Sequence, residues 1–244
     1  MTTHPRSPSA GDHPQISLPG QTHVAHGPHD QTGMYLMHHA FRRDLAGFEA
    51  AVRRTPVGDR DTWAALADRW ALFAETLHHH HAIEDDHLWP TMLRSLDTAG
   101  DAEGRATLEA MEEEHGRIDP ALRACAEGFA AMRSHPCADH RNALDVHVTE
   151  TRALLADHLR HEETGALPLL QRTVTVDDYA AFEAAAEKGY PVRMVPFLVC
   201  WVMHGVPDDL AREFLGQAGT PHRLLRRLFR GRFERREQRA FRYV

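Results

Sequence analysis

The chain has 244 residues, 42% of them hydrophobic and 26% charged, ordinary values for a globular protein, which exclude a chain disordered throughout. Its formal net charge of -7 argues against a wholly basic nucleic-acid binder. Three widely spaced cysteines, Cys125, Cys137 and Cys200, form no Cys-x-x-Cys pair, so neither a disulfide framework nor a zinc-thiolate site is suggested and a reducing cytoplasm is the expected location.

Residues 1–30 contain Pro5, Pro8, Pro14, Pro19 and Pro28 and show no apolar period, so they read as a disordered arm. From about Gln31 to Arg54, Met34, Phe41, Leu45, Phe48 and Val52 recur at steps of three and four, and His38 falls on the same helical stripe. After a turn at Pro56 and Gly58, Asp61 is placed to cap a second helix. Its stripe runs Trp63, Leu66, Trp70, Phe73, Leu77, His80, Glu84.

A break near Gly100 leads to a third helix with Leu108, Met111, His115, Ile118, Leu122, Cys125, Phe129 and Met132 in phase, and Pro120 is expected to kink it. A fourth helix carries Leu144, Val148, Thr151, Leu155, His158 and Glu162 before Pro168. Four long helices with short turns predict an all-α, antiparallel up-down four-helix bundle over residues 31–172, with a helical extension over 173–244. Within the extension, the fourteen uncharged residues Met194 to Pro207 are too short to cross a bilayer and read as a core segment.

A shift of 78 residues superposes His80 on His158, Glu84 on Glu162, Asp85 on Glu163 and Pro90 on Pro168, and a shift of 77 superposes His38 on His115. The bundle therefore reads as two related helical hairpins. A His and a Glu four residues apart share a helical face and can serve one metal centre. That spacing is weak alone; the phase with the apolar stripes and the matched prolines strengthen it. Two carboxylates and four imidazoles converging in a core are costly unless a cation compensates them.

These residues resemble the hemerythrin-like proteins of bacteria, whose cation-binding domain carries His, His-x-x-x-Glu, His, His-x-x-x-Glu on successive helices. The matching segments are MHHAFRRDL with His38, HHAIEDDHLWP with His80 and Glu84, EEEHGRID with His115, and HLRHEETGALP with His158 and Glu162. The resemblance implies two non-heme irons bridged by oxo or hydroxo, with His38, His80, His115 and His158 as nitrogen ligands and Glu84 and Glu162 as bridges. It leaves positions for dioxygen, hydrogen peroxide, nitric oxide or water. Oxygen-carrying hemerythrins have a second His one turn after the third-helix ligand. Here that position is Asp119, readable as a ligand, as an acceptor for a ligand's ring N–H, or as a surface charge.

Off-phase neighbours compete. His81 has Asp85 at i+4 as a rival ligand pair, His161 rivals His158, and His78 and His79 read as surface residues. Tyr35 reads as a packed residue, with a redox role as the alternative, and Glu163 and Asp85 are candidates for proton handling beside the bridges. From His222 to Val244 there are nine Arg and two Glu, a balance that suits an anionic membrane surface, nucleic acid or an acidic partner, but Leu224, Leu225, Leu228, Phe229 and Phe233 offer an apolar face, so docking on the protein's own acidic bundle is the expectation. The functional expectation is a di-iron protein that binds or reacts with a small oxidant. The alternatives are a redox or gas-responsive regulator acting through the extension, and an iron-storage or structural metal bundle.

Overall fold

In the structure, a computed structural model that describes residues 11–217 and 219–244, no strand occurs among the described residues and the chain folds as a helical bundle with further helices at its C-terminal end. The long helices are α1 (Thr32–Arg54), α2 (Arg60–Ile83), α4 (Ala102–Ser134) and α5 (Ala138–His161). Short α3 (Trp89–Ala99) continues α2 through a π-helical turn at Glu84–Leu88, and α6 (Leu167–Thr173) continues α5 through another at Glu162–Ala166. Then come α7 (Val176–Gly189), α8 (Val195–Val202), α9 (Asp208–Gln217) and α10 (Gly219–Ala240).

Local chemistry sets these boundaries. Asp30 accepts the N–H of Thr32, Asp101 that of Gly104 and Thr175 that of Asp178, each satisfying a donor that its helix start leaves unpaired. At α2 the cap is Asp59, which accepts from both the Thr62 N–H and its hydroxyl, so the expected cap Asp61 lies inside the first turn instead. Gly100 ends α3 at φ 67, a left-handed conformation that only glycine adopts without strain.

The two π-helical turns have one cause. Pro90 and Pro168 lack an N–H and crowd the carbonyl four residues back, so the preceding turn opens. The N–H of Trp89 then bonds the carbonyl of Glu84, and that of Leu167 the carbonyl of Glu162, five residues back in each case. Both turns begin at the acidic residue of a His-x-x-x-Glu motif.

The chain is organised as two compact units. The first comprises residues 11–39, 78–118 and 154–189, so α1, α2, α4 and α5 each contribute one part to it and α3, α6 and α7 all of theirs. The second takes residues 40–77, 119–153 and the described part of 190–244.

In the first unit, residues 11–30 differ from the disordered arm expected over 1–30. Their prolines exclude helix, yet Leu18, Ala25 and His29 are buried. Gln171 donates to the carbonyls of Ala25 and His29, and His29 Nε2 lies 2.9 Å from the carbonyl of Val174. Polar anchors on buried backbone replace the apolar period expected of an ordered segment. Residues 1–10 lie outside the described residues. Helix α7 packs on the first π-helical turn, where Gly189 has no Cβ to collide with Ile83.

The second unit has an aromatic core of Phe41, Phe48, Trp70, Phe73 and Phe129, to which the extension adds Trp201 and Phe241. Arg69 is fully buried among the rings of Phe48, Phe197 and Phe241 and pairs with Asp44 and with Glu237 of α10, the latter at 2.6 Å. Trp201 donates to Asp44 at 2.7 Å. The basic end was expected to dock through the apolar residues Leu224, Leu225, Leu228, Phe229 and Phe233; here Phe233 is buried, Leu224 and Leu228 are exposed, and the buried ionic anchor is an acid, Glu237, while Arg223, Arg227, Arg230, Arg235 and Arg239 stay exposed. A guanidinium enclosed by aromatic rings needs carboxylates, and α10 supplies one.

Candidate metal centre

Each apolar stripe delivers its polar members to one place in the first unit. His38 comes from α1, His80 and His81 from α2, His115 from α4 and His158 from α5; Glu84 and Glu162 open the two π-helical turns. All seven side chains are buried. Their neighbours one turn away on the stripes, such as Leu77, Met111, Ile118 and Leu155, are core residues, so the helical period carries the polar groups inward with the apolar ones.

Two groups form. The donor atoms of His38, His80 and Glu162 all lie within 4.8 Å of one another, as do those of His81, His115 and His158, and each group could hold a metal ion. The carboxylates span the groups. Glu84 places Oε1 at 3.2 Å from His80 Nε2 and Oε2 at 3.6 Å from His115 Nε2. Glu162 Oε2 is 3.1 Å from His38 Nε2 and 3.7 Å from His158 Nε2. Two ligands of one ion, each bound at 2.0–2.2 Å, sit about 3 Å apart, and these separations approach that value.

Nearness here is not hydrogen bonding. Among the described residues, Nε2 of His38, His115 and His158, both ring nitrogens of His81, and both oxygens of Glu84 and of Glu162 make no aligned hydrogen bond. Buried polar atoms are ordinarily satisfied, and leaving one unmade costs about 1–3 kcal/mol. A cluster of inward lone pairs fits a cation at its centre; apolar packing would not select it.

The outward nitrogens are satisfied. His38 Nδ1 lies 3.1 Å from Glu163 Oε1, His115 Nδ1 2.8 Å from Asp85 Oδ1, and His158 Nδ1 2.9 Å from Glu114 Oε2. A carboxylate at Nδ1 fixes the tautomer that leaves Nε2 as the inward lone pair, and raises its basicity. Glu163, itself fully buried, also accepts the backbone N–H of Thr22 at 2.7 Å, which ties the helix-free segment to the cluster. The residue after each carboxylate that opens a π-helical turn thus holds the first histidine of a hairpin: Glu163 holds His38, and Asp85 holds His115.

Without a cation the groups share protons. Burial opposes charge on His38, but the negative charges of Glu162 and Glu163 prevail and raise it to about 9. Burial likewise opposes charge on Glu162, and His38 reverses this, lowering it to about 2. Burial and then Glu162 push Glu84 well above the usual carboxylate range. His80 falls to about 3 and His81 well below its usual value, through burial and neighbouring imidazoles. His38 and Glu162 therefore form an ion pair, with His80 and His81 held neutral beside it.

All six residues expected from sequence come together, joined by His81, which the helical phase had placed one position off the seam. Asp85 is not the partner of His81, because it is spent on His115. His161 is partly exposed and pairs with Glu114 at 2.9 Å, and His78 is exposed. Asp119 lies in the second unit and joins neither group. Tyr35 accepts the N–H of Ala25 and donates to Gln31, and burial raises its phenol, so it is a packed, protonated tyrosine. The partners Glu163 and Asp85 could be found in sequence as matched acids of the repeat, but Glu114 carries no repeat signal.

A bundle in which all four long helices deliver histidine to a buried cluster with carboxylates belongs to the class of helical cation-binding proteins. Residues 30–170 match the family model described as Hemerythrin HHE cation binding domain, which covers more than half of the chain. The chain is a member of that family. Comparisons with curated proteins and with solved structures returned no match. No helix among the described residues is long and apolar enough to cross a membrane.

Proposed function

We propose that the chain holds two iron ions between its four long helices and binds or reacts with a small oxidant: dioxygen, hydrogen peroxide or nitric oxide. The observation that carries this reading is the way Glu84 and Glu162 each approach one histidine of both groups, as carboxylates that bridge two ions do. Mixed imidazole and carboxylate donors suit iron. His38, His80, His115, His158, Glu84 and Glu162 hold the pair. When bound, iron supplies a redox-active Lewis acid for a small ligand.

The chain's own residues do the rest. Glu163, Asp85 and Glu114 keep protons at Nδ1 of three histidines and fix the ring orientations. Burial under core residues of the same helices limits water access. Three free thiols suit a reducing compartment such as the cytoplasm.

Regulation is a second reading, favoured by one observation: α1 carries both His38 and Asp44, and Asp44 is held by Arg69 together with Trp201 of the extension. Peroxide consumption by the iron-loaded full chain and by its Glu237→Gln variant separates the readings. Equal rates disfavour an obligatory role of the extension.

The direct test is metal analysis of protein produced with iron, with visible spectra on adding peroxide or azide. About two irons per chain with oxo-bridge bands are expected. Glu84→Ala and Glu162→Ala are each expected to lose metal, whereas His79→Ala retains it; equal metal content in all three would overturn the assignment.

A further inference from the structure

We propose that His81 is a ligand of the second metal position, so that this chain binds its cation pair with five histidines. This rests on the two-ion reading and extends it to a residue outside the His-x-x-x-Glu pattern.

The geometry is specific. His81 is 3% exposed, and neither ring nitrogen has a hydrogen-bond partner among the described residues. A histidine kept in a core for packing alone ordinarily satisfies at least one of its nitrogens. The one acid at helical spacing, Asp85, is committed to His115. The ring lies against that of His115, 4.0 Å between centroids at an interplanar angle of 8°, and meets His158 edge-on at 5.2 Å; since an ion lies in the plane of each imidazole that binds it, His81 shares an ion with His115 by turning out of this stack. Its donor atom lies within 4.8 Å of those of both.

Helical geometry explains why neighbours serve different positions. Successive residues of an α-helix point about 100° apart. His80 joins His38 and Glu162, whereas His81 turns to His115 and His158. Without His81 the second position has two imidazoles and whatever the carboxylates lend it; with His81 it has three. A phase argument in sequence assigns one residue per turn to the seam, so it discards whichever neighbour falls beside it.

Cobalt(II) titration of the full-length chain tests this, read by the visible bands of the ion and by chelator competition. The wild type is expected to take two equivalents. His81→Leu is expected to keep its helical circular dichroism and first equivalent but to bind the second at least about tenfold more weakly, with changed bands. Two equivalents with unchanged affinity and bands in the variant would overturn the role of His81 while leaving the two-ion reading intact. A wild type that binds fewer than two equivalents would overturn both. Should the variant not fold, paramagnetic NMR of the cobalt-loaded wild type decides: imidazole signals shifted by the ion from five histidines support the assignment, and signals from four overturn it.

Discussion

Glu163 is buried between the ring of His38 and the backbone of Thr22, and neither contact is to a metal. Its work is orientation. Glu163→Gln keeps the shape but replaces the charged acceptor, so cation affinity is expected to fall by about 10–100-fold with little change in melting temperature. Isothermal titration with cobalt(II), alongside thermal unfolding, checks the split. The protons of the bare cluster give a second expectation. His38, held at about 9, carries a proton at neutral pH, and burial together with the charge of Glu162 raises Glu84 above the usual carboxylate range. A cation needs the bare imidazole, so loading at pH 7 expels the His38 proton and affinity rises with pH up to about 9. Calorimetry in buffers of different ionisation enthalpy measures the release; a titration without proton release contradicts the assignment.

At the level of the helix, a single imino acid has a long reach. Pro168 opens the turn that begins at Glu162, and Pro90 does the same at Glu84. Pro168→Ala restores an N–H and removes a steric clash, so the turn is free to tighten toward ordinary α geometry. The expected result is unchanged or higher stability with cation affinity lower by about tenfold, since the carboxylate loses its aim. Urea denaturation of the bare chain and titration of the variant report the two effects separately. A gain or loss of both together would mean that the proline acts only through stability.

The second unit has an ionic anchor of its own. Arg69 reaches Asp44 on α1 and Glu237 on α10 from a fully buried position. Arg69→Leu leaves Glu237 without its cation and Asp44 with Arg43 alone, and is expected to destabilise the fold by about 3–5 kcal/mol in urea denaturation. pH dependence follows the same contact. Burial opposes charge on Asp44, but Arg69 and Arg43 prevail and hold it below its usual value. Its stabilisation is therefore complete above the unfolded carboxyl value of about 3.9 and is lost as pH falls through the lower folded value. Unfolding curves between pH 5 and pH 2 follow that loss, and in Arg69→Leu the contribution is expected to shrink.

Helix positions, the buried stripes and six converging polar side chains were legible in the sequence, because apolar residues at steps of three and four dictate which face turns inward whatever lies opposite. The internal repeat made Glu84 and Glu162 equivalent, and their prolines equivalent, without revealing the opened turns. Other features exist only between segments far apart in the chain. His81 enters the cluster because α4 and α5 bring His115 and His158 to it, Glu114 matters because it lies beside α5, and residues 11–30 are held by Gln171 and Glu163. The charge at the C-terminal end was readable but its use was not. Composition counts nine arginines there, whereas packing selects Glu237, since only a buried contact removes enough water for one pair to outweigh many exposed charges.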